Sequence, residues 1–394
     1  MQILIILFFI IQTIIASFLV VPFLMFIVDI FNGRENLTSS SNSDKDYAII
    51  VTAYQQTTLL NNVVNSILNL NYSNYIVYVV ADNCDISNLH FNSDKVILLR
   101  PEETLAGNTK SHFYAINKFV RPHEILTIID SDNLVDGEYL NELNVYFNKG
   151  FQAVQGVRAA KNLNTAYACL DAASDIFYRF IDRKLLYSVG SSAALSGSGM
   201  AFTTTLYREC LEHLVIDGAG FDKVLQLEIQ NRDLRVAFAE KAIVYDEKTS
   251  KSDQLVKQRS RWMFTWFKYA SGGLSLISMG IKNLSWNQFI YGVFFVRPPL
   301  FLLGILSILF FITDIILFPL TSWFWIGSFV IFIFTFLLSL VYFKAPKEIY
   351  KSLISIPLFI FFQIISLFKS KNANKISVAT EHYQIIDNQS VKKS

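Results

Sequence analysis

The sequence is poor in charge and in the residues that cross-link or punctuate a fold. Asp, Glu, Lys and Arg make up only 17% of the 394 residues, and the formal net charge is +2. It has no basic run of the kind that grips nucleic acid, so no nucleic-acid partner is expected. Cysteine occurs three times, at Cys84, Cys169 and Cys210. That number and spacing give neither a disulfide framework nor a thiolate metal site, and the three read as isolated thiols in a reducing compartment. The sequence has no G-x-x-x-x-G-K-[ST] phosphate loop, and no G-x-G-x-x-G follows the first strand-like run. Those absences argue against P-loop chemistry and against a dinucleotide fold.

Apolar residues, in contrast, make up 52% of the chain, which directs attention to membrane segments. From Gln2 to Val28 there is no charged residue, long enough for a spanning helix and without a basic start or a clear cleavage site. Residues 1–31 therefore read as a membrane anchor. Apolar runs return at Pro298–Phe318, Trp323–Phe343 and Leu353–Phe368, the last near the lower length limit for a span, so it reads as interfacial or re-entrant. The aromatic stretch Asn287–Val296 reads as interfacial. Residues 32–273 form a water-facing domain, 274–370 the interfacial and membrane helices, and 371–394 a polar tail. Lys45 and the lysines at 344, 347, 351, 369, 371 and 375 place the domain and both lysine-rich flanks in the cytoplasm, at the inner or plasma membrane.

Within the water-facing domain, strand-like and helix-like runs alternate. YAIIVTAY (47–54), YIVYVVAD (75–82), KVILLR (95–100) and ILTIID (125–130) have strand character. Between them, Leu59, Leu60, Val63, Val64, Ile67 and Leu68 recur at helical spacing, and NTKSHFYAINKFV forms a second helix. The alternation predicts an α/β domain with a mostly parallel sheet and helices on both faces. Ligands in such sheets bind beyond the carboxyl ends of the strands, where Asp82 and Asp130 fall.

Asp130 and Asp132 flank a single residue at the end of a buried run. Two such carboxylates repel, and a divalent cation is the simplest way to keep both ionised. Mg²⁺ or a similar hard ion takes one or two carboxylates and completes its shell with substrate phosphates. The pair is short and gains weight from its company. Asp222 follows Gly220 and Phe221 ahead of a helix. Gln258, Arg261 and Trp262 stand at i, i+3 and i+4, hence on one helix face. A guanidinium there suits phosphate oxygens and an indole suits a sugar ring. A membrane-surface amphipathic helix explains the same stretch, and the two readings are compatible.

Together these residues resemble the membrane-bound inverting glycosyltransferases of family 2, which include cellulose, hyaluronan and poly-N-acetylglucosamine synthases and the related ceramide glucosyltransferases. The resemblance covers residues 47 to about 270 and implies a GT-A-type nucleotide-sugar-binding domain. By that resemblance Asp82 contacts the nucleotide base, Asp130 sits near the donor, and Asp132, with Asp130, holds Mg²⁺ or Mn²⁺ on the diphosphate. Asp222 falls on the catalytic base, with Arg235 and Tyr245-Asp246-Glu247 at fitting distance. Gln258, Arg261 and Trp262 match the Q-x-x-R-W motif. Lys110 becomes a donor contact, and Gly197 and Gly199 in SGSGMAF, with Trp262, face the acceptor. Ala379–His382 resembles a tail motif of some members, although an exposed histidine explains it as well. Three departures stand out: Gln55-Gln56 replaces an Asn-Glu pair, Phe221 replaces the Glu before the catalytic Asp, and the Gly-Lys before the third helix is loosened to GNTK.

The implied partners are a nucleotide-sugar donor, with a UDP-sugar expected, a glycan or lipid acceptor, and the membrane. Processive synthesis needs a conduit, which three or four spans supply only with interfacial helices or in a homo-oligomer. Single transfer to a membrane lipid needs none. An inactive scaffold that keeps the fold is supported by the Phe221, Gln55 and Gln56 departures, and the joint presence of Asp82, Asp130, Asp132, Asp222, Gln258, Arg261 and Trp262 speaks against it. A transporter is disfavoured because Asp314 is the one charge inside the spans.

Overall fold

The computed structural model describes residues 2–32, 43–216 and 218–372. In chain order its elements are α1 (Gln2–Asn32), β1 (Tyr47–Tyr54), α2 (Leu60–Leu68), β2 (Tyr75–Asp82), β3 (Val96–Leu99), α3 (Asn108–Ile116), β4 (Ile125–Asp130), β5 (Leu134–Val135), α4 (Tyr139–Asn148), β6 (Ala153–Ala160) and α5 (Ala166–Arg179). A π-helical turn (Phe180–Leu185) leads into α6 (Leu186–Ser188), followed by β7 (Met200–Thr203), α7 (Thr204–Leu211), α8 (Phe221–Asn231) and β8 (Val236–Asp246). The helices α9 (Ser252–Asn283), α10 (Trp286–Val296), α11 (Leu300–Leu317), α12 (Ser322–Tyr342), α13 (Lys347–Ser352) and α14 (Ile356–Lys369) complete it.

The eight strands form one sheet in the order β3-β2-β1-β4-β7-β6-β8-β5. The first four are parallel, as the alternating sequence requires. β7 then pairs antiparallel with both β4 and β6, while β6 and β8 are parallel, so the sheet is mixed. Residues of β1, β2 and β4 are buried on both faces, which explains why these strands read as unbroken apolar runs. One face packs on Leu60, Val63, Val64 and Ile67 of α2 and Leu140 and Leu143 of α4. The other packs on Ala115 and Ile116 of α3 and on α7 and α8. Tyr54 of β1 lies opposite Asp82 and Thr52 opposite Asp130, so both aspartates leave the sheet at the same edge.

Four helices are long and apolar enough to cross a membrane: Gln2–Asn32, Leu300–Leu317, Ser322–Tyr342 and Lys347–Lys369. The last is longer than its apolar run because α13 continues through a 3₁₀ turn into α14. α9 is a single helix of 32 residues that runs through position 273, so the chain has no break in secondary structure at that expected boundary. α10 packs closely on α9: a Cβ at Gly280 would meet the Phe289 backbone nitrogen at 2.4 Å. Met25 of α1, Phe177, Phe180 and Leu186, Leu276 of α9, and Tyr291 and Phe294 of α10 form one apolar cluster. Lys184 pairs with Asp29 of α1 at 2.6 Å. α1 is therefore bound to the rest of the structure by packing and an ion pair as well as by the chain.

Candidate active site

The end of β4 is fixed by a short network of side chains. Asp130 N donates to Ser198 Oγ at 3.1 Å, and Ser198 Oγ donates to Asn133 Oδ1 at 2.6 Å. Asn133 Nδ2 donates to Asp132 Oδ1 at 3.2 Å and to Asp246 Oδ1 at 3.3 Å. Asp132 and Asn133 are buried and Asp130 half-buried. The Asp-Ser-Asp turn is thus tied to the 196–199 loop and to the last residue of β8. That loop is held from below by Gln155, which accepts from Ser196 N at 3.0 Å and donates to Gly199 O at 3.2 Å. Arg158 Nη1 donates to Ser196 O at 2.8 Å.

The two predicted glycines in that loop differ. Both have positive φ, 86° at Gly197 and 64° at Gly199, where a side chain is strained. A Cβ added at Gly197 would find no atom within 4 Å, so this residue borders open space. A Cβ at Gly199 would meet Val244 Cγ2 at 2.8 Å, so Gly199 is packed against β8.

Asp82 is buried, and both its oxygens accept backbone amides: Oδ1 from Leu105 at 2.9 Å and Oδ2 from Ala106 at 2.8 Å. It holds the turn before α3 in place, with Ala106 at φ 47°. Lys110 is exposed in the first turn of that helix.

Asp222 is half-buried in the first turn of α8, where the helix dipole favours an anion. Gly220, at φ 103°, lets α8 begin against α9: a Cβ there would meet Thr265 Cγ2 at 2.7 Å. Leu195 N donates to Gln226 Oε1 at 2.8 Å, which ties α8 to the residue before the 196–199 loop. Phe221 is a core residue. Its ring lies 5.2 Å from that of His112, which bonds Tyr207 OH through Nδ1 at 2.7 Å. The residue that departs from the expected Glu therefore joins α8 to α3. Gln55 holds φ 60° at the end of β1, and its backbone N donates to Asp82 O at 3.1 Å.

Gln258 and Arg261 are half-buried on α9, and Gln258 Oε1 accepts from Thr249 Oγ1 at 3.2 Å. Burial lowers the pKa of Arg261. Trp262 is 47% exposed, with the Arg259 guanidinium 4.4 Å from its ring centre. Arg259 is buried and pairs with Asp171 of α5.

A buried charge cluster adjoins the site, and little in the local sequence pattern signals it. Arg158 Nη2 and Lys248 Nζ hold Asp246 at 2.8 and 3.0 Å. Lys248 also reaches Asp175 at 3.4 Å, as do Arg179 at 3.0 Å and Arg183 at 3.7 Å. Burial opposes ionisation of Asp175, but Lys248, Arg179, Arg183 and Arg158 outweigh it and hold its carboxyl well below the usual range. The one available signal is the charge pair Arg158 and Lys161 in and just after an otherwise apolar strand. One open cavity of about 890 Å³, lined by Arg121, His123, Thr204 and Arg208 among others, contains none of the predicted site residues. Ala379–His382 lies outside the described residues.

Among the described residues no three His, Cys, Asp or Glu side chains cluster as a self-sufficient metal cage. Asp130 and Asp132 nevertheless fit a hard ion of the Mg²⁺ type, which binds through one or two carboxylates and phosphate oxygens.

The profile described as "Glycosyltransferase like family 2" matches residues 44–265, more than half of the chain. The chain belongs to that family. Among solved structures it resembles a mannosyltransferase, PcManGT from Pyrobaculum calidifontis, in complex with GDP-Man and Mn²⁺. The TM-score is 0.54 at 12% identity, covering 92% of this chain and 97% of that one. TarS (residues 1–349) from S. aureus, in complex with UDP-GlcNAc, gives a TM-score of 0.43 at 12% identity over 82% and 89% of the two chains. No curated protein matches the sequence. The fold is that of a GT-A glycosyltransferase domain flanked by helices long and apolar enough to span a membrane.

Proposed function

We propose that the protein is an inverting membrane glycosyltransferase that takes a sugar from a nucleotide-sugar, with a UDP-sugar as the first donor to test. It delivers the sugar to a polysaccharide or glycolipid acceptor and forms a β-linkage. The observation that carries this reading is the connected frame in which Ser198 and Asn133 join the Asp130–Asp132 turn to the 196–199 loop, and Gln226 joins that loop's base to the helix bearing Asp222.

In this reading Asp222 accepts the proton of an acceptor hydroxyl as its oxygen attacks the anomeric carbon from the face opposite the diphosphate. The new C–O bond forms as the bond to the diphosphate breaks, and a single displacement inverts the anomer. Arg261 binds the departing diphosphate, and Gln258 and Trp262 orient the sugar and acceptor beside it. Asp82 and the turn it holds take the nucleotide base, and Lys110 approaches the donor from the start of α3. Open space at Gly197 admits the acceptor. Asp132, with Asp130, would hold Mg²⁺ or Mn²⁺, which when bound offsets negative charge on the diphosphate.

The domain faces the cytoplasm, where nucleotide-sugars are made, and the spanning helices keep it at a membrane-held acceptor. Membranes containing the protein, incubated with a panel of nucleotide-sugars, should consume one donor selectively. Product size then separates single transfer from polymer synthesis. A folded, membrane-inserted protein that consumes no donor with a full membrane extract as acceptor source would overturn this reading in favour of a scaffold.

A further inference from the structure

We infer that Lys161 is a donor-side residue of this site, its ammonium binding the diphosphate of the nucleotide-sugar beside Asp132. This rests on the glycosyltransferase reading and adds a contact that the motifs do not contain.

Lys161 directly follows β6, whose last residue, Ala160, lies opposite Asp246 of β8. Its backbone is clamped: Lys161 N donates to Asp246 O at 2.8 Å, and the side chain of Asn162 exchanges bonds with Lys248 N and O at 2.7 and 3.1 Å. Lys161 is only 5% exposed. Its ammonium stands in the field of Asp132, Glu247 and Asp246, the carboxylates at the strand ends, and burial lowers its pKa despite them. Among the described residues that ammonium makes no hydrogen bond or ion pair. The neighbouring cations are already committed, Arg158 to Asp246 and Ser196 O, and Lys248 to Asp246 and Asp175.

The side chain is buried along its stem, but Nζ is not among the enclosed, unpaired side-chain atoms of the described residues, so the ammonium meets solvent at this edge, where a ligand can reach it. The missing partner is an anion arriving at the strand-end edge. In a nucleotide-sugar the only strongly anionic group is the diphosphate. A structural lysine that merely held the acids together would be expected to close on one of them, as Lys248 does on Asp246.

The two roles differ in sign when the charge is removed. In the full-length protein, Lys161→Met should weaken binding of the nucleoside diphosphate with Mn²⁺ by about tenfold. The same variant should tighten binding of Mn²⁺ alone a few-fold, because a cation has left the neighbourhood of Asp132. Lys161→Arg should hold both affinities within about threefold of wild type. Unchanged diphosphate affinity in a folded Lys161→Met protein would overturn the assignment, as would a parallel loss of both affinities. If Lys161→Met does not fold, Lys161→Gln is read by the same criteria, and in Lys161→Gln a rise in donor KM at constant kcat supports the contact while a fall in kcat alone overturns it. Wild-type protein that neither binds the diphosphate nor consumes a nucleotide-sugar would instead remove the glycosyltransferase reading itself.

Discussion

Arg158 Nη2 lies 2.8 Å from Asp246 Oδ2, across the parallel pair β6 and β8, and its other terminal nitrogen holds Ser196 O. One guanidinium thus fastens the far half of the sheet to the loop that steadies Asp130. Replacing it with an apolar residue leaves a largely buried carboxylate with Lys248 as its remaining ion pair. Arg158→Met should cost about 3 kcal/mol, the range for breaking a buried pair. Arg158→Lys should recover only part, because an ammonium lacks the fork that reaches both partners. Thermal unfolding in detergent measures both.

Asp222→Asn retains shape and removes the base. Sugar transfer should fall by at least about a hundredfold while nucleotide binding stays within a few-fold of wild type. Turnover close to wild type would assign the base elsewhere.

Chelator should abolish transfer, and added Mg²⁺ or Mn²⁺ should restore it. In Asp132→Asn the metal concentration for half-maximal activity should rise by about tenfold or more, because a neutral oxygen is a weaker ligand for a hard cation. Full activity in chelator would contradict the metal role of Asp132.

His112 is buried between Phe221 and Tyr207, and burial pushes its pKa down to about 3. Its neutral form belongs to the folded state. The stability linked to it is full above the ordinary 6.5 and is lost as pH falls from there toward 3, by about 1.4 kcal/mol per pH unit. His112→Gln should lower stability at pH 7.5 and flatten its pH dependence between pH 6.5 and 4. Denaturant melts of the two proteins across that range give the difference directly.

The two loop glycines should separate. Gly197→Ala bears only the strain of positive φ, about 1 kcal/mol, whereas Gly199→Ala also drives a methyl into Val244. Val244→Ala should rescue part of the second loss and none of the first, a coupling that a double-mutant cycle isolates.

The first half of the domain is legible in the sequence because its signals are local. Strands β1, β2 and β4 are unbroken apolar runs ending where Tyr54, Asp82 and Asp130 stand, and the observed bounds coincide with those runs. The Asp-Ser-Asp turn, Asp222 at a helix start and the Gln258–Arg261–Trp262 spacing can be picked out for the same reason. Phe221 reads in the sequence as damage to a motif, and only its contact with His112 gives it a reason. The full length of α9 and the antiparallel pairing of β7 have no such signal, since neither helix length past a polar stretch nor pairing direction is written in local periodicity.

By itself the sequence determined the class of fold, the apolar segments and the residue types at the strand ends, because each follows from periodicity or short spacing. The tertiary structure alone decided which charges stand together. Arg158 with Lys161, Asp175, and Asp246 with Lys248 come from three separate segments of the chain, and beyond the two cations at the end of β6 no local pattern marks them. They meet because β6 and β8 pair parallel, with a register shift between Gln155 and Val157 that sets Ala160 opposite Asp246, and because Asp175 of α5 reaches Lys248. Their energies depend on burial and on distances of about 3 Å, and both are set by packing.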